Sequence, residues 1–308
     1  MSLAKVSVIM PAFNAGKTIS DAIESVKNQS VDDWELIVID DGSVDETAAI
    51  VQGHINSDDR IKLLKLVTNG GLPNARNKGC LKARGEYIAF LDSDDLWHKD
   101  KLKKQIQFHL DNPEIEISHT NFIAFNGSKF YTRPFRKLLD SNEKVRGDIY
   151  PGICYKNSIG VLTVMARREL LIHVNLFDPS LWTMEDQDLW IRIAKENKEF
   201  GYINDVLAYY RISEGSISQK TGKYKRAYKK FLWKILNENR LNYQLLFRYY
   251  YRHFGTVYFK KGNYKLSILY FIKSIKLLPF DRQALSTYLY ILFGMIMWIF
   301  RSKSTQSE

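Results

Sequence analysis

Three carboxylates stand together at the end of an apolar run, and this arrangement points to chemistry assisted by a metal ion. Residues 87–91 read Tyr-Ile-Ala-Phe-Leu, and Asp92, Asp94 and Asp95 follow directly. An apolar run of this length predicts a buried strand, and ligands of open α/β sheets bind at the carboxyl ends of strands. Because crowded carboxylates repel one another, this segment is expected to bind a hard divalent cation that also coordinates substrate phosphates. The alternative is a solvated acidic turn before the next helix.

A second pair of acids follows another apolar run. Asp40 and Asp41 come directly after Trp34–Ile39 and precede a Gly-Ser pair. Two acids at a buried strand end are unfavourable unless they accept hydrogen bonds. One carboxylate there can accept the imide N–H of uracil or thymine while its neighbour orders the turn. The alternative is that both acids only form the turn before a helix.

The segments after the first and third predicted strands could also contact a nucleotide. Pro11 and Asn14 set a turn, which leaves the backbone of Ala12 and Phe13 free to contact a flat base. Residues 69–77 read Asn-Gly-Gly-Leu-Pro-Asn-Ala-Arg-Asn and open a predicted helix.

In this second segment, Gly70 and Gly71 permit close backbone approach, Arg76 can pair with a pyrophosphate, and a helix N-terminus favours anions. The sequence contains neither a dinucleotide Gly-x-Gly-x-x-Gly signature nor a Walker loop. A nucleotide enzyme of this kind would therefore hold its phosphates through a metal.

Alternating strands and helices position these residues. Val- and Ile-rich strands with helices between them predict a parallel sheet covered on both faces. The predicted strands are Lys5–Met10, Trp34–Ile39, Ile61–Val67 and Glu86–Leu91, and the helices are Ala15–Asn28, Thr47–Ile55 and Asn74–Ala83.

The pattern changes after residue 100. Residues 126–160 are loop-rich, and we expect part of this stretch to move over the active site. The predicted helices are Lys101–Leu110 and Asp188–Glu196, the predicted strands are Glu116–Phe125 and Gly160–Ala166, and one or two short strands lie within Phe200–Tyr210.

From Lys223 onward the sequence predicts helices only. The spacing of Gly, Tyr and Ser residues over 252–278 is close to one tetratricopeptide repeat, with predicted helices Lys229–Tyr251 before it and Gln283–Phe300 after it. The last of these is uncharged, so it predicts a membrane span, a helix on a membrane surface or simple core packing. The C-terminal helices are also a candidate contact between copies of the chain.

Charge is distributed unevenly along the 308 residues. From residue 215 to the end there are 18 Lys and Arg against three acids, whereas the first 214 residues carry 27 bases and 31 acids. This asymmetry predicts a basic appendage on a nearly neutral domain, suited to anionic lipid or a polyanionic substrate.

The sequence has no recognised DNA or RNA module, which argues against a nucleic-acid partner. Two cysteines and no recognisable signal peptide predict a cytoplasmic protein.

Five segments together resemble the family 2 glycosyltransferases, which are inverting enzymes with the GT-A fold. The resemblance covers roughly residues 4–215. It rests on Val-Ile-Met-Pro-Ala-Phe-Asn (8–14), Glu-Leu-Ile-Val-Ile-Asp-Asp-Gly-Ser-x-Asp-x-Thr (35–47), Ala-Arg-Asn (75–77), Gly-Glu-Tyr-Ile-Ala-Phe-Leu-Asp-Ser-Asp-Asp (85–95) and Glu-Asp-x-Asp-Leu-Trp (185–190).

The resemblance implies an α/β protein with a Rossmann-like mixed sheet flanked by helices. The catalytic GT-A domain would span residues 1–218, and a small all-α basic region with one tetratricopeptide-like hairpin would span 219–308. On the nucleotide side, Asp41 would hold the base, and Pro11, Ala12 and Asn14 would line its pocket.

The resemblance also implies the roles of the other acids. Asp92-Ser93-Asp94 would be the metal-binding Asp-x-Asp motif, in which Asp94 binds Mg²⁺ or Mn²⁺ directly and Asp92 reaches the ribose or the ion's waters. Glu185 and Asp186 would lie on the acceptor side, with Asp186 as the general base.

Inverting transfer needs such a base to deprotonate the acceptor hydroxyl, and like-charge repulsion from Glu185 could raise the pKa of Asp186. The alternative is that Glu185, Asp186 and Asp188 are ordinary acids of a helix N-terminus, favoured by the helix dipole.

One segment departs from the family pattern. Ser213 stands where the family often has a histidine, so a third protein ligand for the metal or diphosphate is not expected there. Arg211, Ser216 and Ser218 are the remaining candidates in this segment for contact with phosphate.

The expected activity is transfer of a hexose or hexosamine from a nucleoside diphosphate sugar, uridine-linked, to a hydroxyl of a surface glycan on a lipid carrier. We expect contact with the inner face of an anionic membrane. Two alternatives remain. A sugar nucleotidyltransferase would need a Gly-rich phosphate loop where Pro11–Asn14 stands. A scaffold with a GT-A-like fold would not need the acids at 92, 94 and 186.

Overall fold

The structure, a computed structural model, describes residues 5–127, 129–130, 146–212, 221–279 and 284–304. It divides into two compact units. The first unit comprises residues 1–153 and 157–227, and the second comprises residues 154–156 and 228–308.

The described residues of the first unit form one mixed sheet of nine strands. The strands are β1 (Val6–Ala12), β2 (Trp34–Asp40), β3 (Ile61–Lys65), β4 (Tyr87–Phe90), β5 (Leu96–Trp97), β6 (Ile117–Asn126), β7 (Lys129–Phe130), β8 (Met165–Arg167) and β9 (Phe200–Arg211). Their order is β3-β2-β1-β4-β8-β6-β9-β5, with β7 beside β6. The fold class is α/β, with a mixed sheet and flanking helices as predicted.

Helices cover both faces of the sheet. Val6, Val8 and Met10 of β1 lie in one core cluster with the apolar side of α1, while Ile9 faces α3 on the opposite side. The buried Val and Ile side chains of β1 and β2 thus pack against helices on both faces of the sheet, as the near-continuous apolar sequences of these strands predict. The described helices of this unit are α1 (Ile19–Lys27), α2 (Thr47–Ile55), α3 (Leu72–Lys82), α4 (Lys101–Asp111), α6 (Arg168–His173) and α7 (Glu185–Lys195), together with the first half of the short helix α5 (Gly152–Tyr155), whose last two residues belong to the second unit.

The strand directions bring distant residues to one edge of the sheet. Strands β1 to β4 are mutually parallel, and β6 and β9 run the same way, because β8 is antiparallel to both β4 and β6. Ala12 pairs with Asp40, and Ile9 pairs with Phe90. The carboxyl ends of β1, β2, β4 and β9 therefore meet at the same edge, where Asp41, Asp92 and Arg211 lie.

Helix α3 packs unusually close to this sheet at Gly79. A Cβ atom added at Gly79 would stand 2.6 Å from Ile9 Cγ2 and 2.6 Å from Ile39 Cδ1. Since Cβ atoms almost never come within 3.0 Å of another atom, Ile9, Ile39 or helix α3 would have to shift to admit a side chain here. Gly79 is one turn beyond Arg76 on the same helix, so it fixes the height of that arginine above β1 and β2.

Several predicted elements differ from the structure. The strand predicted over Gly160–Ala166 is wrong in its first half, because residues 161–163 form a 3-10 turn in which Thr163 Oγ1 donates to the Gly160 carbonyl at 2.6 Å. Helix α1 begins at Ile19 and not at Ala15, whose backbone N–H donates instead to Thr47 Oγ1 at 2.8 Å. Residues 200–211 form one continuous strand.

The second unit is helical, as predicted. Its helices are α8 (Thr221–Glu238, which begins within the first unit), α9 (Tyr243–Lys260), α10 (Tyr264–Leu277) and α11 (Ala284–Ser304). The single helix predicted over Lys229–Tyr251 is wrong, because the chain breaks between α8 and α9. Asn242 is the N-cap of α9, and its side chain accepts the Leu245 N–H at 3.0 Å.

Helices α9 and α10 form the predicted hairpin. A Cβ at Gly255 would meet the Phe271 ring at 2.8 Å, and Ser267 Oγ donates to the Gly255 carbonyl at 2.9 Å. Small residues thus let the two helices approach, and membership of the tetratricopeptide class stays a prediction. Among the helices of the described ranges, none is both long and apolar enough to cross a bilayer.

Candidate active site

The tips of β1 and β2 are tied together by short hydrogen bonds. Asn14 adopts a left-handed conformation (φ 50°), its N–H donates to Ser43 Oγ at 2.9 Å, and its Oδ1 accepts from the Val44 N–H at 3.0 Å. Pro11 and Ala12 are buried in β1, whereas Phe13 is 49% exposed. The turn is therefore rigid and presents one aromatic ring outward. The predicted contact of these four residues with a base stays a prediction.

Asp41 holds the loop that leads into α3. Its two carboxylate oxygens accept the backbone N–H groups of Gly70 at 2.8 Å and Gly71 at 2.9 Å. Gly71 has a φ of 87°, which suits glycine at this turn. Asp41 is nearly buried, and each of its oxygens keeps a further lone pair. The structure thus gives Asp41 a loop-ordering role, and its contact with a base stays a prediction.

Arg76 joins the two groups of predicted catalytic acids. Its Nη2 donates to Asp92 at 2.7 and 3.1 Å, and its Nη1 donates to Glu185 at 2.6 Å. The guanidinium is buried and lies over the Phe177 ring. Burial alone would lower the pKa of Arg76, but the charges of Asp92 and Glu185 raise it above its usual value. Arg76 therefore stays charged and holds together residues that are 93 positions apart in the sequence.

The strand-end cluster consists of Asp92, Asp94 and Asp95, directly after β4. Asp95 is buried and accepts the Arg211 N–H at 2.8 Å, and Arg211 Nε donates to the Asp94 carbonyl at 2.6 Å. Burial, reinforced by the charge of Asp92, raises the pKa of Asp94 to about 6. Ser93 lies between the two partly exposed acids. This cluster concentrates negative charge that the protein compensates only in part.

The helix-start cluster consists of Glu185, Asp186 and Asp188, in the first turn of α7. Met184, just before it, has a left-handed backbone (φ 65°), a strained conformation for a residue with a side chain. Asp188 accepts from Arg192 Nε at 2.9 Å, and Arg192 also donates to the Val174 and Leu176 carbonyls. Asp188 therefore anchors α7. The other two acids of the cluster have different partners: Glu185 binds Arg76 and Asp186 binds Asn157.

Asp186 is the acid of this cluster that is fixed by neutral donors. Asn157 Nδ2 donates to its Oδ2 at 3.1 Å, and the Gln187 N–H donates to its Oδ1 at 2.7 Å. Burial raises the pKa of Asp186, although Arg76 and both of these donors act in the opposite direction. Burial also raises the pKa of Glu185 to about 7, against the pull of Arg76. The Glu185 carboxylate is thus close to a protonation change near neutral pH.

Sequence reasoning missed two of the residues at this site. Asn157 lies in the stretch 126–160, where only the loop-rich composition was readable, and its contact with Asp186 spans 29 positions. Tyr210 lies near the strand-end cluster, and burial together with Asp95, Asp94 and Asp92 raises its pKa to about 12. Ser213, Ser216 and Ser218 lie outside the described residues, as do residue 128 and residues 131–145 of the loop-rich stretch.

The donor set suits a hard cation that brings other ligands with it. Within the described ranges, no group of three or more His, Cys, Asp or Glu side chains is arranged to hold a metal ion. Asp92 and Asp94 offer oxygen atoms only, and Asp94 has its pKa raised by burial and by a neighbouring negative charge. Mg²⁺ and Mn²⁺ accept one or two carboxylates plus phosphate oxygens and water, so these residues fit such an ion when a diphosphate is bound.

Solved structures with the same fold include a relative caught with a nucleotide sugar. S. aureus TarS, residues 1–349, crystallised in complex with UDP-GlcNAc, superposes with a TM-score of 0.64 at 25% identity, covering 89% of this chain and 82% of that one.

Relatives found by sequence share a higher identity with this chain than TarS does. TuaG of Bacillus subtilis, named for teichuronic acid biosynthesis, is 37% identical over 235 residues, which cover 76% of this chain and 87% of TuaG. The Escherichia coli protein WfgD, named as a UDP-Glc:alpha-D-GlcNAc-diphosphoundecaprenol beta-1,3-glucosyltransferase, is also 37% identical over 235 residues, covering 76% of this chain and 85% of WfgD. The model of the glycosyl transferase family 2 matches residues 7–165. This chain therefore belongs to glycosyl transferase family 2 and is a glycosyltransferase.

Proposed function

We propose that the chain transfers one hexose or hexosamine from a UDP-sugar to a hydroxyl of a glycan acceptor, with inversion at C1, during synthesis of a surface polysaccharide. One observation carries the proposal. Arg76 binds Asp92 of the strand-end cluster and Glu185 of the helix-start cluster at once. The acids proposed for the donor and those proposed for the acceptor are therefore within the reach of one sugar.

The donor half of the site is supported by the edge where β1, β2 and β4 end. Phe13 projects from a turn that Asn14 holds rigid, and Asp41 holds the Gly70–Gly71 loop. A base would lie against this edge, with Pro11 and Ala12 below it. Uridine is favoured because TarS was crystallised with UDP-GlcNAc and the WfgD name specifies UDP-Glc.

Asp94 and Asp92 would hold Mg²⁺ or Mn²⁺ together with the diphosphate. The ion would neutralise negative charge on the departing diphosphate. Arg76 keeps Asp92 in a fixed orientation, and Arg211 keeps the backbone of the Asp92–Asp95 segment in place through the Asp94 carbonyl. Both arginines thereby position the acids without needing to touch substrate themselves.

Asp186 would act as the general base. It accepts the proton of the acceptor hydroxyl, the hydroxyl oxygen forms a bond to C1 of the donor sugar, and the C1–oxygen bond to the diphosphate breaks with its electron pair. Asp186 suits this role better than Glu185, because Glu185 is more deeply buried and bound to Arg76, whereas Asp186 is partly exposed and held by Asn157.

The proposed acceptor is a glycan attached to a lipid diphosphate. The motivation is the name of WfgD, a relative of this chain over three quarters of its length, which specifies a diphosphoundecaprenol-linked acceptor.

The proposal is tested by ligand binding and product stereochemistry together. The full chain is screened by thermal unfolding against UDP, GDP, dTDP and their sugars, with and without Mn²⁺, since a ligand at 100 times its Kd stabilises by about 2.7 kcal/mol. We expect uridine ligands with Mn²⁺ to give the largest rise in Tm. The anomeric configuration of the product is then read by NMR. A product that retains the donor configuration would overturn the inverting mechanism.

A further inference from the structure

Helix α11 presents apolar side chains on the side where a helix of a water-soluble protein carries polar ones. Leu285, Leu289, Leu292 and Ile296 follow the spacing i, i+4, i+7, i+11, so they share one face. Their exposed fractions are 72%, 58%, 58% and 41%. Tyr288, Phe293 and Met295 on the flanks of this face are also exposed. We call this surface the outer face of α11.

The polar side chains of the same helix point the other way. Thr287 is fully buried, and Ser286 Oγ accepts a hydrogen bond from Arg252 Nη2 of α9 at 3.0 Å. Gly294 is buried against Ile268 of α10, where an added Cβ would be 3.3 Å from its side chain. The helix is therefore packed on its neighbours through small and polar residues and the Tyr290 ring, which stacks on Phe271, while Leu285, Leu289 and Leu292 face outward.

The exposed face of α10 carries both apolar side chains and lysines. Lys265, Leu269, Ile272 and Lys276 are all exposed and follow the spacing i, i+4, i+7, i+11. Two apolar side chains thus lie between two lysines along one face of α10. Between residues 221 and 304 the sequence has 17 Lys and Arg against two acids, Glu238 and Asp281. The sequence that contains α8 to α11 is therefore strongly basic, and Lys265 and Lys276 place part of this charge beside the apolar side chains of α10.

We propose that the outer face of α11, with the exposed face of α10, docks on the surface of a lipid bilayer rich in anionic headgroups. The apolar side chains would enter the boundary between headgroups and acyl chains, and the lysines would lie among the headgroup phosphates. Tyr288 and Trp298 are 45% and 48% exposed, and their amphipathic rings suit the depth of that boundary.

The charge distribution favours a bilayer over a second copy of the chain as the occupant. Two copies joined through this surface would bring Lys265 and Lys276 of each into one contact, and like charges at close range oppose association. An anionic bilayer supplies both the apolar interior and the negative charge. The inference rests on α9, α10 and α11 alone and is independent of the proposed transfer reaction.

The test is sedimentation of the full chain with vesicles of phosphatidylcholine alone or with 40% phosphatidylglycerol, a composition chosen for the experiment. We expect binding to the anionic vesicles that weakens with salt. The double substitution Leu289→Asp and Leu292→Asp should lower the partition coefficient at least about tenfold. Lys276→Gln should weaken binding to anionic vesicles about fivefold, with little effect on neutral ones.

Matched controls exist on the other unit. Leu81 is 67% exposed on α3, and Lys82 beside it is also exposed. Leu81→Asp and Lys82→Gln should leave vesicle binding unchanged. The proposal is overturned if the wild-type chain does not bind anionic vesicles, or if the double variant binds as well as wild type. Failure to bind, together with a concentration-dependent dimer that the double variant abolishes in analytical ultracentrifugation, would identify the surface as a contact between copies.

Discussion

The strand-end cluster and the helix-start cluster are each built from three acids that have separate tasks. One acid of each is bound to Arg76: Asp92 in the first and Glu185 in the second. One is tied to its own surroundings, namely Asp95 to the Arg211 backbone and Asp188 to Arg192. The third acid, Asp94 or Asp186, is left with a pKa raised by burial.

The clusters differ in what stabilises that third acid. Asp186 sits in the first turn of an 11-residue helix, where the dipole favours a negative charge, and it accepts hydrogen bonds from Asn157 and Gln187. Asp94 lies after a strand, beside the like charge of Asp92. The two aspartates thus stand in different surroundings, which match the roles proposed for them: a general base for Asp186 and a ligand of a cation for Asp94.

Asp186→Asn would remove the proposed base and should have the largest effect. We expect kcat to fall by about 10²- to 10⁴-fold, the usual contribution of general-base catalysis, with donor Kd almost unchanged. The measurement is steady-state transfer alongside calorimetric titration of the UDP-sugar. Asp59→Asn, at an exposed position of the same unit, serves as the control. Transfer by Asp186→Asn at the wild-type rate would remove Asp186 from the mechanism.

Arg76→Met would break the link between the clusters. Two carboxylates would lose their buried partner, and we expect the free energy of unfolding to fall by about 3–5 kcal/mol. Because loss of the guanidinium raises the pKa of Glu185 further, protonation at low pH relieves part of the penalty. The loss should therefore be larger at pH 8 than at pH 5 in urea unfolding. An equal loss at both pH values would contradict the assignment of Arg76 as the charge partner.

Asp94→Asn should weaken binding of the metal with its nucleotide. We expect the affinity of UDP in the presence of Mn²⁺ to fall by at least about tenfold, while affinity without Mn²⁺ changes little. Calorimetry with and without the ion separates the two. If both affinities fall equally, Asp94 contacts the nucleotide and not the metal.

Asn157→Ala should give the smallest effect, confined to the acid side of the pH profile. The Asn157 hydrogen bond lowers the pKa of Asp186, so its removal raises that pKa further. Since the base must be deprotonated, the acid limb of kcat/KM should move to higher pH, with less than about a tenfold change on the plateau. A uniform loss at all pH values would indicate that Asn157 contacts substrate.

Much of the fold could be predicted because local sequence and tertiary structure agree there. Strand β2 was predicted to within one residue and α2 exactly as observed, since apolar runs end there on turn-forming acids. The start of α1 was misplaced because residues 15 and 16 bond to Thr47 and Asp45 on another segment. The break between α8 and α9 did have a local signal, the capping residue Asn242, which the apolar periodicity concealed.

The site divides in the same way. Asp41, Asp92 and Asp186 were identifiable because they stand in family motifs at the ends or starts of elements. The pairing of Arg76 with both clusters could not be predicted, because it depends on the distance between α3 and α7 in the folded chain. The role of Asn157 likewise depends on a contact between a loop and a helix start that no spacing encodes.

The absence of a side chain at Gly79 has a consequence for anyone who redesigns this enzyme. Helix α3 rests directly on Ile9 and Ile39 there, so an added methyl group would have to displace one of these side chains or lift the helix that carries Arg76. Variation of sugar or acceptor preference should accordingly be sought in the segments that border the cleft. Residues 71 to 79 are best treated as an invariant frame.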